Sequence, residues 1–84
     1  MQDDPIKSAV KRFIMEEFLP GERPEALTDD TPLVAEGVLD SLATLRLVSF
    51  LEKEFKVSIA PHEVDAEYLN FLPTIAALVR SKLG

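Results

Sequence analysis

The stretch EGVLDSLATLRLVSFLEKEF, residues 36–55, contains the strongest structural signal in the 84-residue chain. From Ser41 its apolar residues recur at helical spacing, which predicts an α-helix that ends near Phe55. The residues of its expected core arc are Ala43, Leu47, Val48, Phe50, Leu51 and Phe55. Asp40 or Ser41 is the expected N-cap, because short polar side chains accept hydrogen bonds from the free N–H groups of a first turn.

The outer face of this helix predicts a surface with a function. Leu42 and Leu45 fall where solvent is expected, beside Arg46 and Ser49, and the core arc is complete without them. The hydroxyl of Ser41, in the first turn, is expected to point outward as well. A phosphoester at that position would be stabilised by the free N–H groups and by the positive end of the helix dipole.

Another long helix is predicted before this one. Asp4-Pro5 is typical of a helix start and Pro20-Gly21 of a helix stop, so the first helix is expected to run to Leu19. The residues of its apolar stripe are Ile6, Ala9, Val10, Phe13 and Ile14.

The C-terminal third is predicted to contain a short helix and the last long one. Residues 57–59 are expected to form an extended connector, followed by a turn at 61–64. Asp65 is expected to cap a short helix that reaches about Asn70, and Pro73 to begin the last helix. The residues expected to face the core here are Tyr68 or Leu69, and then Ile75, Leu78, Val79 and Leu83. The fold class is therefore all-α, with three main helices and one short helix.

A long loop, Pro20–Asp40, separates the first two helices, and loops of this length usually have a function. Thr31 is expected to cap one helical turn within it, with Pro32 at the first position and Gly37 in the left-handed conformation at the end. The stretch Pro20–Thr28 is expected to be mobile. The residues expected to anchor the loop to the core are Leu33, Val34, Val38 and Leu39.

The composition excludes several classes of function. Nine basic residues stand against fifteen acidic ones, for a net charge of −6, which argues against general binding to nucleic acid. With no cysteine and His62 as the single histidine, disulfides, zinc fingers, thiol nucleophiles and histidine clusters are excluded. The acidic start is unlike a signal peptide, and no apolar run is long enough to span a bilayer. One monomeric, cytoplasmic domain of residues 1–84 is expected.

Several segments together resemble a known family. They are DTPL at residues 30–33, DSL at 40–42, LEKEF at 51–55, and NF and IAALV at 70–71 and 75–79. At this spacing they resemble the phosphopantetheine-binding carrier proteins, of the acyl, aminoacyl or peptidyl type. The resemblance extends from Ile6 to Leu83 and implies the four-helix carrier bundle.

The resemblance implies a function without catalysis. A phosphopantetheinyl transferase would move 4′-phosphopantetheine from coenzyme A to Ser41, and the terminal thiol of this arm would hold acyl or aminoacyl cargo as a thioester. The arm would supply the thiol that the cysteine-free chain lacks. Asp40 would help the transferase recognise the site, and Leu42, Leu45 and Ser49 would face the loading and downstream enzymes.

One departure from carriers of the fatty-acid-synthase type bears on the partners. Those carriers are characteristically acidic along the exposed face of the second helix, where this chain has Arg46 and Lys53. Because rim charges chiefly set association rate and specificity, Arg46 is expected to select different partners. We expect a stand-alone carrier in amino-acid loading or secondary metabolism. The Gly-Gly that often precedes the serine of peptidyl carriers is absent, which leaves the cargo open.

Two other functions are compatible with parts of the pattern. An unmodified all-α interaction domain would dock through Leu42 and Leu45. A small hydrolase built on Ser41 would need a base, and His62 is expected to be an exposed loop residue instead. The aromatic residues expected in the core around the short helix are Tyr68 and Phe71.

Overall fold

Four α-helices make up most of the chain in a computed structural model, which describes residues 4–83. They are α1 at Pro5–Phe18, α2 at Ser41–Phe55, α3 at Ala66–Leu69 and α4 at Leu72–Leu83. Single turns of 3-10 helix occur at Pro24–Ala26 and Pro61–Glu63, and no strand occurs between residues 4 and 83. The predicted all-α fold is confirmed, and the bounds of the three main helices differ from the prediction by at most one residue. None of the helices described is long and apolar enough to cross a membrane.

The N-cap of α1 also joins α1 to α4. One oxygen of the Asp4 carboxylate accepts hydrogen bonds from the backbone N–H groups of Ile6 and Lys7, at 3.1 and 3.2 Å. The other oxygen accepts a hydrogen bond from the guanidinium of Arg80 in α4, which lowers the pKa of the Asp4 carboxyl. The predicted helix start is therefore confirmed, and the Asp4 cap adds an ion pair between α1 and α4, the two helices that pack most extensively.

Two carboxylates fix the connector after α2 in ways that the sequence does not indicate. Glu52 of α2 accepts the N–H of Ile59 at 2.9 Å. Glu63 accepts the N–H of Ala60 at 2.8 Å and forms an ion pair with Lys82 of α4, also at 2.8 Å. The hydrogen bond from Lys82 lowers the pKa of the Glu63 carboxyl. The connector is thereby tied to α2 at one end and to α4 at the other.

The core lies where α1, α2 and α4 meet, and the long loop closes it. Its most deeply buried side chains are Val10, Ile14, Leu27, Leu33, Leu39, Leu47, Leu51, Leu69, Leu72, Ile75 and Val79. Val48, Phe50 and Phe55 of the expected core arc are only partly buried. They lie at the edge of the core, where Phe13 of α1 stacks on Phe50 with 4.2 Å between ring centroids.

The second half of the long loop is anchored as predicted. Leu33 and Leu39 are buried, and Val34 and Val38 pack against the core from partly exposed positions. Gly37 takes the predicted left-handed conformation, with φ of +83°. The N–H of Leu39 donates to the carbonyl of Leu33 at 3.0 Å, which closes the loop into a compact turn just before α2.

One prediction for this loop is wrong. The hydroxyl of Thr31 caps no N–H group of the turn, and instead accepts a hydrogen bond from the N–H of Thr28 at 2.9 Å. The mobility of Pro20–Thr28 stays a prediction for residues 20–26, which are exposed, whereas the side chain of Leu27 is fully buried. Exposing a buried leucine costs about 1.5–3 kcal/mol, so Leu27 fixes the end of that stretch.

Three further side chains differ from the prediction. Phe71 is 36% exposed, because the neighbouring Leu69 occupies the core in its place. Leu83 is 52% exposed in the last turn of α4, where no described residue covers it. Asp65 is the N-cap residue of α3 and its carbonyl accepts the N–H groups of Tyr68 and Leu69, but its side chain caps no N–H group in the described chain. Tyr68 is partly buried, as predicted.

Candidate functional site

Ser41 is the first residue of α2 and is exposed. Asp40 precedes it as the N-cap: its carboxylate accepts the N–H of Ala43 and its carbonyl accepts the N–H of Thr44, each at 2.8 Å. The capping role that the sequence leaves open between Asp40 and Ser41 therefore belongs to Asp40. The Ser41 hydroxyl makes no hydrogen bond to any residue between 4 and 83, so it is available to another molecule.

The backbone around Ser41 suits a phosphate group. The N–H groups of Ser41 and Leu42 have no acceptor within the described part of the chain, and they lie at the N-terminal end of a 15-residue helix. Free N–H groups and the helix dipole both favour an anion at such a position. A phosphodiester on the Ser41 oxygen therefore fits the groups that are present.

Open clefts lie on both sides of Ser41. One, of about 460 Å³, lies between α2 and α3, and its apolar lining residues are Val34, Leu39, Leu45, Val64, Ala66 and Leu69. The other, of about 530 Å³, lies between the end of α1, the long loop and α2. Its lining is more polar and includes Glu17, Glu36 and Arg46. A flexible chain attached to Ser41 would thus find an apolar surface on one side and a charged one on the other.

The residues predicted to face partners share one surface around Ser41. They are Asp40, Leu42, Leu45, Arg46 and Ser49, all exposed. Leu42 and Leu45 are 68% and 60% exposed, so neither contributes to the core. The guanidinium of Arg46 lies 3.9 Å from the carboxylate of Glu17 in α1, a surface contact that is worth little in water. The sequence-predicted residues are therefore brought together.

Asn70, just after α3, holds the loop that leads to Ser41. Its carbonyl accepts the N–H of Leu33 at 2.6 Å, and its side-chain Oδ1 accepts the N–H groups of Val34 and Ala35 at 2.8 and 3.2 Å. One residue thereby binds three successive N–H groups of the loop. The sequence does not indicate this role, because a single Asn at the end of a short helix is equally compatible with a turn, a cap or solvent.

A hydrolytic site would pair the Ser41 hydroxyl with a hydrogen-bonded base, and the hydroxyl has no hydrogen-bond partner among residues 4–83. His62 is exposed in the 3-10 turn Pro61–Glu63 and lines neither cleft. The described residues also contain no group of three metal-ligating side chains. The geometry thus gives the hydrolase interpretation no support.

Comparison with known families decides the class of protein. The sequence model of the family described as "Phosphopantetheine attachment site" matches residues 13–81. The chain belongs to this family. Its cofactor is accordingly 4′-phosphopantetheine, attached covalently, and the resemblance found in the sequence is confirmed.

Similar proteins are carriers as well. This carrier protein is 35% identical over 75 residues to "Probable acyl carrier protein PigG" of Serratia sp.. The aligned segment covers 89% of this chain and 85% of that protein. It is 42% identical over 53 residues to "D-alanyl carrier protein" of Lactococcus lactis subsp. cremoris. That aligned segment covers 63% of this chain and 67% of that protein. Carrier function is confirmed, and carriers of this family are generally non-catalytic and work with loading and biosynthetic enzymes.

Solved structures agree with the fold. A chain of the crystal structure described as "FAD-dependent dehydrogenase" superposes with a TM-score of 0.75 at 33% identity, covering 83% of this chain and 97% of that chain. The structure described as "KstB-PCP(apo)" superposes with a TM-score of 0.66 at 30% identity, covering 88% and 81%. The carrier-protein bundle is thus confirmed, and the coverage shows that the first matched chain is about as long as this one.

Proposed function

We propose that this carrier protein receives 4′-phosphopantetheine on Ser41 and carries acyl or aminoacyl groups on it as thioesters, without catalysing a reaction itself. The observation that supports Ser41 is an exposed hydroxyl beside two free N–H groups at the start of α2, within the matched segment. Among the serines of the described chain, only Ser41 begins a helix.

The modification exchanges one oxygen on phosphorus for another. The Ser41 oxygen forms a bond to the phosphorus that carries the pantetheine, the pyrophosphate P–O bond of coenzyme A breaks, and 3′,5′-adenosine bisphosphate leaves. The hydroxyl proton passes to a base of the transferase. The new phosphodiester is an anion, which the N–H groups of Ser41 and Leu42 and the dipole of α2 stabilise.

The surface around Ser41 is proposed to dock the partner enzymes: a phosphopantetheinyl transferase, a loading enzyme and the biosynthetic enzymes that use the cargo. Leu42 and Leu45 supply apolar contact, whereas Asp40, Arg46 and Ser49 supply polar contacts that set specificity. Residues 1–84 would act as one monomeric domain in the cytoplasm. Nucleic acid and membrane lipid are not proposed as partners, because a net charge of −6 opposes phosphate-rich surfaces.

The test is the intact mass of the protein after incubation with coenzyme A and a broad-specificity phosphopantetheinyl transferase. The wild type and Ser58→Ala should each gain one arm, whereas Ser41→Ala should gain none. Ser58 is the control, since it is an exposed serine in the connector after α2, outside the proposed docking surface. Ser41→Ala should stay folded, because Asp40 rather than Ser41 caps α2. A wild type without the arm would instead favour the unmodified interaction domain, and an arm on Ser41→Ala would refute the site.

A narrower proposal concerns the enzyme that acts on the cargo. It is supported by the match to a carrier-length chain in the structure described as an FAD-dependent dehydrogenase. We propose that a flavin dehydrogenase removes a pair of hydrogen atoms from the thioester-bound cargo, so that the cargo is oxidised and FAD is reduced to FADH2. After mixing, the loaded carrier should be lighter by that pair of hydrogens as the flavin absorbance falls. An unchanged carrier mass would contradict this step and leave the assignment of Ser41 intact.

A further inference from the structure

A groove between α1 and α2, distinct from the two clefts beside Ser41, has an aromatic floor. Phe13 of α1 and Phe50 of α2 form this floor, and their rings stack with 13° between planes. The groove has a volume of about 470 Å³ and extends along α2 from Leu45 to Lys53. Because Phe13 and Phe50 are only partly buried, the stacked rings present apolar surface that the described residues leave uncovered.

The rim of this groove carries two cations on a protein whose net charge is −6. Arg46 and Lys53 line it, about one turn of α2 on either side of Ser49. Arg46 is the one charged residue between Ser41 and Leu51. No carboxylate of residues 4–83 lies within 4.0 Å of the Lys53 amine. The rim is therefore locally positive.

The carboxylates close to the groove leave this positive charge largely in place. Neither Glu52 nor Glu54 lines the groove: Glu52 accepts the N–H of Ile59 at 2.9 Å, and Glu54 lies on the far side of the stacked rings. Glu17 does line the groove, but its carboxylate is 3.9 Å from Arg46 in an exposed position. A contact of that length contributes little, so Arg46 can exchange Glu17 for a carboxylate of another molecule.

We infer that this groove binds an acidic, apolar segment of a partner enzyme. An apolar side chain of that segment contacts Leu45 and Phe50, and carboxylates beside it face Arg46 and Lys53. Leu45 lines both this groove and the α2–α3 cleft beside Ser41, so a partner seated here has the arm within reach. The inference rests on the proposed function, because delivery of cargo is what brings a partner to this face.

Charge decides which kind of partner fits the groove. An extended anionic membrane surface would meet the field of the whole acidic protein and be repelled, whereas a short acidic segment meets mainly the two cations. Exposed charges of this kind contribute little affinity individually and act chiefly on association rate and on the choice of partner. The stacked rings and Leu45 then supply the apolar contact.

Two synthetic amphipathic peptides serve as probes for this inference. Both have the same face of leucine and tryptophan, flanked by glutamates in one peptide and by lysines in the other. Each is titrated into isotope-labelled holo protein while backbone amide shifts are followed by NMR. The glutamate peptide should bind more tightly and shift the amides of Phe13, Leu45 and Phe50. Its preference should shrink between about 0.01 M and 0.15 M ionic strength, as the Debye length falls from about 30 to about 8 Å.

Single substitutions of charged residues test whether the rim causes the preference for the glutamate peptide. Arg46→Gln and Lys53→Gln should each weaken binding of the glutamate peptide about 1.5- to fivefold. Glu17→Gln should strengthen it, because the carboxylate that competes for Arg46 is gone. Arg23→Gln is the matched control: it removes one exposed arginine from the long loop, outside the groove, and should leave the affinity unchanged.

Equal binding of the two peptides, or shifts confined to residues outside the groove, would overturn the inference. An effect of Arg23→Gln as large as that of Arg46→Gln would also overturn it, since general charge would then explain the preference. Binding to phosphatidylserine vesicles that Arg46→Gln abolishes would assign the groove to a membrane surface instead. The intact mass of the same sample tests the proposed function separately. A chain that gains no arm refutes Ser41, and a chain that gains it while binding both peptides equally refutes the groove alone.

Discussion

Replacing Asn70 by alanine tests whether one side chain holds the loop before α2. The change deletes the oxygen that accepts the N–H groups of Val34 and Ala35 at 2.8 and 3.2 Å. It leaves the backbone hydrogen bond from Leu33 in place. Ala35 is exposed, so its N–H can bond to water, whereas Val34 is half-buried. One partly buried, unpaired donor should lower the free energy of unfolding by about 1–3 kcal/mol.

Two further variants separate the hydrogen bonds from a general loss of stability. Asn70→Asp keeps an acceptor oxygen in place and should recover most of the stability. Ile75→Val shortens a buried side chain of α4 without removing a hydrogen bond, and should cost about 0.5–1.5 kcal/mol. Urea unfolding gives the stabilities, and amide hydrogen exchange reports on the loop. Exchange of the Val34 amide should be about 5- to 150-fold faster in Asn70→Ala than in the wild type.

The same variants should separate recognition from stability. Val34 lines the cleft beside Ser41, so loosening this turn should disturb the surface proposed to dock the transferase. At a temperature where every variant is folded, Asn70→Ala should raise the KM of the transferase for the carrier with little change in kcat. Asn70→Asp and Ile75→Val should keep the wild-type KM. Wild-type exchange at Val34 together with a wild-type KM in Asn70→Ala would refute the reasoning, because the backbone bond from Leu33 would then suffice.

Three other outcomes are expected from packing and from the ion pair of α1 with α4. Leu39→Ala should lower the free energy of unfolding in urea by about 2–5 kcal/mol, because this loop residue is almost fully buried; a loss below about 0.5 kcal/mol would mean that the loop is not anchored there. Phe71→Ser should lower the free energy of unfolding by about 1 kcal/mol or less, whereas Leu69→Ala should lower it about as much as Leu39→Ala. Equal losses of stability at residues 69 and 71 would contradict the difference in their burial. The hydrogen bond from Arg80 lowers the pKa of Asp4, so its stabilisation is present above the ordinary carboxylate pKa of about 4 and is lost as pH falls through the lowered value. Unfolding curves should therefore show the wild type losing more stability than Arg80→Gln between about pH 6 and pH 2, and parallel pH profiles would show that the pair contributes nothing.

The features that the sequence predicts well are those that depend on residues close together in the chain. Each main helix repeats apolar residues along its own length, so its bounds are predictable to within one residue. The exposed pair Leu42 and Leu45 is predictable for the same reason, since both fall outside that repeat. The Asp-Ser pair at 40–41 is equally local, because a cap and the first residue of its helix are adjacent in the chain.

The contacts that the sequence does not predict join residues far apart in the chain. The Oδ1 of Asn70 and the N–H of Val34 are separated by 36 positions, and a single Asn is equally compatible with a turn, a cap or solvent. The predicted cap by Thr31 is wrong for a related reason: a threonine hydroxyl can accept from several nearby N–H groups, and this one accepts the N–H of Thr28. The partner of such a side chain is determined by the tertiary structure, and the periodicity of the sequence does not indicate it.

Attachment of the arm at Ser41, as proposed, places two opposing requirements on this residue. Its hydroxyl must project into solvent for the transferase, yet its backbone must be fixed so that the N–H groups remain aimed at one phosphate. The fixation comes from other residues: the carboxylate of Asp40 caps α2, Leu39 is buried immediately before it, and Asn70 binds the turn that leads there. None of these contacts uses the Ser41 side chain. Attaching the arm therefore breaks no contact within the described chain, and the bundle has no structural reason to rearrange when the serine is modified.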